Sequence, residues 1–437
     1  MRLQGGLAVA KTVRELVASW VSLAAMLVSA SPALGRVIHV PADQPTIQAG
    51  IDAAVDGDRV VVSPGTYVEN INFLGKAITV QSVSGPEVTT IDGNQVGPVA
   101  IFATGEKRKS VISGFRLRNG RANASTNYTG GGVYVNNSSP TIKHNLIVAN
   151  VAASGGGIGV FGGSPYIFRN TVSRNLHDPD LSGGGGGGIS LDGGSSALVV
   201  GNSISRHSWT LGVGGGVAVK TSGKPFFKNN LIFLNTADGN TPGGGIWVVD
   251  SSPTFVQNLI FLNTAYFGGG LYIDLSSRNF QATFVNNTFA DNVADNGDVL
   301  PGDGSGVYIV GLDGTSEEFY SNVFAGSSGR ETIFCSTAFG LPLFVSTDAY
   351  STSGLGFGGL CAGLEGTGGN ISADPLFLES STGSTYRLQG ASPAIDTGYN
   401  GSPNLPPRDL SDNPRIVDGN LDGTAVVDMG AYEFQPQ

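Results

Sequence analysis

Short apolar–polar–apolar runs recur through the middle of the chain: Val133–Val135, Ile158–Val160, Ile189–Leu191, Val217–Val219, Ile246–Val248, Leu271–Ile273 and Val307–Ile309. Their period of two predicts strands with one face buried. A glycine triplet precedes each run, starting at Gly130, Gly155, Gly186, Gly214, Gly243 and Gly268, with Gly304-Ser305-Gly306 as a variant. A second short strand follows, as in Ser139-Pro140-Thr141-Ile142. A third carries two asparagines five residues apart: Asn145/Asn150, Asn170/Asn175, Asn230/Asn235, Asn258/Asn263 and Asn287/Asn292, with Asn202/His207 in the same place. Asparagine tolerates left-handed backbone, so these pairs predict corners whose amides stack into ladders. Three strands and three corners in roughly 25 residues make one coil of a parallel β-solenoid, stacked ~4.8 Å from the next. Propeller blades need a longer period, and leucine-rich or calcium-binding nonapeptide repeats need leucine or aspartate frames that are absent.

The ends break the pattern, as a stack with protected edges requires. Residues Pro45–Val55 read as an amphipathic helix with Ile47, Ile51 and Val55 on one face, a lid for the first coil. From Gly369 the triplet register is lost and Pro and Asp increase, so 369–437 is expected to close the solenoid of 36–368. Residues 1–35 combine a basic start (Arg2, Lys11, Arg14), the apolar run Leu16–Ala30 and small residues at Ala33 and Gly35. That order predicts a cleaved signal peptide and a secreted product, extracellular or periplasmic, with no membrane span once it is removed.

Composition narrows the classes. The 437 residues include 67 glycines, charged residues are 13% and apolar residues 40%. There is enough apolar material for a core, which excludes a disordered polyelectrolyte, and no Gly-X-Y register, which excludes collagen. The net charge is −10, and no basic stripe stands out in the sequence, so no nucleic-acid partner is expected. Two cysteines exclude a disulfide scaffold or a four-cysteine zinc site. Cys335 and Cys361 are about one coil apart, and in an oxidising compartment a disulfide between them is expected.

Several segments resemble a known group. Val40-Pro41-Ala42-Asp43, Thr46-Ile47-Gln48-Ala49, Gly57-Asp58-Arg59-Val60, Pro64-Gly65-Thr66-Tyr67 and Glu69-Asn70-Ile71 resemble the opening of bacterial right-handed parallel β-helix proteins of the pectin-lyase-like superfamily. Asp374-Pro375-Leu376-Phe377, Ser392-Pro393-Ala394-Ile395-Asp396 and Asp428-Met429-Gly430-Ala431-Tyr432-Glu433 look like the closing module of such proteins. The resemblance implies an all-β right-handed parallel β-helix. It implies little about chemistry, because that superfamily includes polysaccharide lyases, hydrolases, epimerases, tailspikes and adhesins. No catalytic signature of these enzymes carries over, and His177-Asp178-Pro179-Asp180 has the wrong order for the alginate-epimerase motif.

Chemistry is sought on the strand after each triplet. One outward column holds Tyr134, Trp247, Tyr272 and Tyr308, where aromatic rings would stack on pyranoses. The next holds Asp192, Lys220 and Asp274. Asp192 and Lys220 fall on adjacent coils, either as an ion pair or as an acid beside a lysine base for a uronate carbon. Asp192 and Asp274 are three coils apart, roughly 14 Å, too far for a glycosidase pair. Loop residues ahead of the triplets (His177, Asp178, Asp180, His207, Trp209, Asp238, Tyr266, Asp291, Asp295, Asp298, Asp303) are expected to project from one edge. Asp418, Asn420 and Asp422 match the start of an EF-hand-like calcium loop, with Asp428 one place before its closing ligand. Two functions stay open. One is a secreted protein that binds a polysaccharide and, if an enzyme, acts as a polysaccharide lyase, with calcium as cofactor. The other is a non-catalytic structural or adhesin-like surface protein. No oligomeric state is implied.

Overall fold

The computed structural model describes residues 35–436, apart from short stretches at 179, 182–183, 211, 222, 276–279, 296–302, 312–315, 328, 338–340, 353 and 381–382. Residues 1–34, most of the expected signal segment 1–35, and Asp298 lie outside the described residues. Parallel strands stack into sheets of 12, 11, 6 and 11 members. In chain order around one coil these are sheet I (for example Thr141–Lys143), sheet II (Leu146–Val148), sheet III (Val151–Ala152) and sheet IV (Ile158–Phe161). The central coils thus have four strands, one more than the pattern predicts. Sheet III strands are only two or three residues long, too short to show an alternation.

Register explains the core. Thr141, Ile142 and Lys143 pair with Tyr166, Ile167 and Phe168 of the next coil, so like positions stack on like. The central residue of each sheet I strand points inward, and Phe227, Phe255, Phe284, Phe319 and Phe344 form a ladder with centroids 4.4–5.1 Å apart and nearly parallel planes. Sheet IV buries the first and third apolar positions of every run. Offset ring stacking adds ~0.5–1.5 kcal/mol per pair beyond the area removed from water.

The asparagine ladders form, but the corner geometry differs from the expectation. The left-handed residue is the one before each asparagine: His144, Ala149, Arg169, Arg174, Arg206, Asn229 and Leu234 all have φ of 50–58°. The asparagines point inward. Asn230 Oδ1 accepts from the backbone N–H and Nδ2 of Asn202, while Asn230 Nδ2 donates to Val199 O and Asn258 Oδ1, at 2.9–3.1 Å. Asparagine is needed here because one buried side chain must both accept and donate along the stack.

The triplets turn the chain from sheet III into sheet IV. Gly130 has φ 72°, and a Cβ on Gly132 would lie 2.6 Å from Gly157 O on the next coil. Coils can therefore stack here only without side chains.

The helix spans Ile47–Ala53. Thr46 Oγ1 caps Ala49 N–H, and the Glu69 carboxylate accepts from Ile47 and Gln48 N–H. Ile47 and Ile51 are buried, whereas Val55 lies beyond the helix and is 66% exposed, contrary to its expected place on the apolar face. The tail also differs from an end plug. Val37–Gln437 is one compact unit, and the tail folds back along sheet II of the late coils. Leu388, Ala394, Ile395 and Met429 pack on Val323 and Ala325, and Tyr386 packs with Leu259 and Ala290.

Candidate functional site

Strand alternation turns Tyr134, Trp247, Tyr272 and Tyr308 outward on sheet IV, and Trp247, Tyr272 and Tyr308 sit in register on successive coils. They do not form an open platform. Tyr272 and Tyr308 lie face to face, 5.5 Å apart at 11°. Each ring therefore covers one face of the other. Phe267 and Phe334 crowd Tyr308 at 4.8 and 5.3 Å. Burial, then the charge of Asp274 and neighbouring Tyr308, pushes the Tyr272 phenol up to about 12. Trp247 is half-buried, with the turns at Gly214 and Gly243 against its Cβ. The expected stacking of a glycan along both Trp247 and Tyr272 therefore fails in its simple form, because the triplet turns fold over the column.

Lys220 Nζ is 3.2 Å from Asp192 Oδ2, and Thr221 Oγ1 donates to the other carboxylate oxygen. Both charged side chains are partly exposed. The geometry is that of a cross-coil ion pair, with Asp274 two coils beyond Lys220.

The loop residues mostly pack instead of projecting. Trp209 is fully buried and meets the His177 ring edge-on at 4.9 Å. Asp178 is buried and paired with Arg121 at 2.8 Å, and Asp291 accepts from the Tyr386 hydroxyl. His207 is inside the asparagine ladder: its Nδ1 accepts from Asn175 N–H, and burial pushes its imidazole down to about 4.

The four calcium-loop residues are not brought together. Asp418 accepts from Asp422 and Gly423 N–H, and Asn420 and Asp422 accept within the same turn. Asp428 is buried elsewhere in the tail, where it accepts from Asp396 and Phe434 N–H. Among the described residues no group of three or more His, Cys, Asp or Glu is placed to hold a metal. Cys335 and Cys361 are joined in a disulfide, with Cα atoms 5.6 Å apart.

A concavity of about 300 Å³ opens four coils before the Trp247 rung, lined by Thr126, Asn127, Thr129, Tyr134, Asn136, Asn137 and Phe161. Tyr134 forms its base at 8% exposure, and Phe161, 47% exposed, forms its rim. Phe161 is held in place over Gly193, where a Cβ would reach 2.8 Å from the ring. Asn136 hydrogen-bonds the Tyr134 hydroxyl, against a burial effect that raises the phenol, and accepts from Asn137 Nδ2 at 2.9 Å. The pocket is uncharged, with two rings and convergent amides and hydroxyls. Strand alternation in the sequence places Tyr134 outward. It does not reveal the pocket wall, loop 122–129, whose turn is built by the Asn123 cap and left-handed Asn127 and Tyr128.

Residues 167–330 match the family model described as right handed beta helix region. The fold of the chain is a right-handed parallel β-helix. Solved structures similar to this β-helix protein include pectate lyase Pel9A, with 13% identity, TM-score 0.42, and 92% of this chain and 97% of that one covered. A PL6 family alginate lyase, AlyGC, gives 13% identity, TM-score 0.36, and 85% and 59% coverage. A mannuronic acid specific family 6 lyase from human gut microbiota gives 14%, 0.33, and 74% and 83%. No curated protein matches the β-helix protein in sequence. Among the described residues no helix is long and apolar enough to cross a membrane.

Proposed function

We propose that this is a secreted carbohydrate-binding β-helix protein that seats an uncharged sugar residue in the Tyr134–Phe161 pocket. The pocket itself carries the proposal. A ring at the rim gives an apolar face for a pyranose, and the Asn127, Asn136, Asn137, Thr126 and Thr129 side chains match its hydroxyls. Secretion is supported by the export-like start of the sequence and by the Cys335–Cys361 disulfide. Binding is proposed without turnover, because Lys220, among the described residues the one lysine paired with an acid on sheet IV, is tied to Asp192.

A glycan array followed by calorimetry on the mature chain tests this. Phe161→Ala is expected to lower affinity about tenfold for the best neutral glycan while leaving the melting temperature unchanged. Unaltered binding by Phe161→Ala, together with loss in Trp247→Ala, would return the site to the aromatic column. Absence of any glycan ligand would remove the proposal.

A further inference from the structure

The net charge of −10 hides a strong asymmetry around the coil. Segments 107–119, 138–149, 164–174, 195–207 and 223–235 form sheets I and II of five successive coils. They contain eleven lysines and arginines and no aspartate or glutamate. The acids of the same region lie on the opposite side: Asp178 and Asp180 beside sheet III, Asp192 at the end of sheet IV, and Asp238 in sheet III. Glu87 and Asp92 from the preceding coil neutralise Arg116 and Arg118. Among the described residues, Arg108, Lys143, Arg169, Arg174, Arg206 and Lys228 have no carboxylate partner.

Two rows result, on either side of sheet II. Arg169 stands at its entry corner with Lys143 at the end of the preceding coil's sheet I strand, and Arg174 and Arg206 stand at its exit corner on consecutive coils. Arg174 and Arg206 are both exposed and about one strand spacing apart, ~4.8 Å between backbones. Unpaired like charges so close repel, and a polyanion would relieve this. The guanidiniums are also preorganised: Arg169 lies over the Phe168 ring at 4.9 Å, Arg206 over Phe233 at 5.6 Å and Arg108 over Tyr166 at 5.3 Å. A guanidinium held over a ring face still has N–H groups to offer a carboxylate or sulfate. His144 lies within this field: its imidazole is pushed down by burial and then by Lys143 and Arg169. The tail cluster reaches sheet II from the coil of Leu231 onward, where Tyr386 packs on Phe261, and the cations of the preceding coils lie ahead of it.

We propose that the part of sheet II ahead of the tail cluster, between its two rows of corner cations, docks a linear acidic polysaccharide bearing carboxylates or sulfates. The site is separate from the neutral pocket on sheet IV. A linear polymer is favoured because the cations recur with the coil along one axis and alternate with rings. A membrane surface would instead need apolar side chains standing clear of the charges, and Leu146 and Leu231 between the rows are only partly exposed.

The test uses the mature chain, with polygalacturonate and dextran sulfate as probes and uncharged dextran as control. Binding should weaken steeply with salt. Arg169→Glu/Arg174→Glu/Arg206→Glu should lose about a hundredfold or more in affinity, whereas Arg59→Glu, outside the rows, should change little. Near-UV circular dichroism and thermal melting establish that the triple variant is folded, and Phe161→Ala should retain acidic-polymer binding, separating this surface from the pocket. Equal binding by the triple variant would overturn the proposal. So would wild-type preference for duplex DNA or anionic lipid vesicles over both polysaccharides.

Discussion

His207 occupies a position that five other coils fill with asparagine, and its chemistry makes that position sensitive to acid. Its Nδ1 accepts from Asn175 N–H at 3.1 Å and its own N–H donates to Asn235 Oδ1. Full burial pushes the imidazole down to about 4 from an ordinary 6.5. The folded state thus refuses a proton that the unfolded chain accepts below about 6.5. Stability contributed by neutral His207 is complete above that pH and is lost as pH falls toward 4. His207→Asn is expected to flatten this part of the stability profile, measured by urea unfolding at pH 7.5, 6 and 4.5. An unchanged acid slope would mean other groups set it. The equivalence with asparagine was legible in the spacing alone. The burial was not: the same residue, read as part of a loop, was expected to project, because nothing local distinguishes a ladder rung from a turn. Tyr272 and Tyr308 show the same limit, since alternation gives the side a ring leaves from but not which way its plane turns.

Ladders and sheets carry the stability of the stack. Asn230 bonds in both directions, so Asn230→Leu would leave the backbone N–H of Asn202 without its acceptor and take the side-chain donor from the Val199 carbonyl inside the core, while Asn202 Nδ2 keeps the Ile167 and Val200 carbonyls. Each buried unsatisfied group costs about 1–3 kcal/mol, so a loss of about 3 kcal/mol or more is expected in urea titration. Leu234→Gly, at a left-handed and partly exposed corner, should be far milder, because glycine adopts φ of 54° without strain. Similar losses from both would show that corner geometry, rather than amide pairing, holds the coils. The asparagine register was readable because it survives every insertion. Sheet III was not, since strands such as Thr264–Ala265 are defined by their neighbours rather than by their own sequence. The wall of the Tyr134 pocket escaped for a related reason: loop 122–129 has no repeat partner to reveal where it folds.

At the scale of the whole molecule, a buried cation joins the apolar contacts that hold the tail against the solenoid. Arg415 donates to Gln257 Oε1 on one of the later coils, to the carbonyls of Gly430 and Ala431, and to Glu433 at 3.3 Å, with both charged side chains fully buried. The Asp428–Glu433 segment was recognisable in the sequence, but its docking site, more than a hundred residues away, has no local signature. Asp428 is the weak point of this arrangement. Burial, then the charge of Glu433, pushes its carboxyl up to about 8. The docked tail therefore keeps a proton that an undocked tail releases near 4. Docking is strongest below about pH 4 and weakens as pH rises toward 8. Arg415→Met removes the buried positive charge paired with Glu433 and leaves the two acids together in the interior. Breaking a buried pair in this way costs about 3–5 kcal/mol, and the cost should grow with pH as the second proton leaves. Hydrogen exchange, corrected for intrinsic rates, should show residues 394–434 losing protection between pH 5 and 9 in the wild type and at lower pH in Arg415→Met. The asparagine-ladder amides of coils 145–235 should stay protected in both. Loss of protection spread equally over tail and ladder would mean that the tail is an integral part of the solenoid's cooperative unit; no loss in either would mean that Asp428 titrates without loosening it.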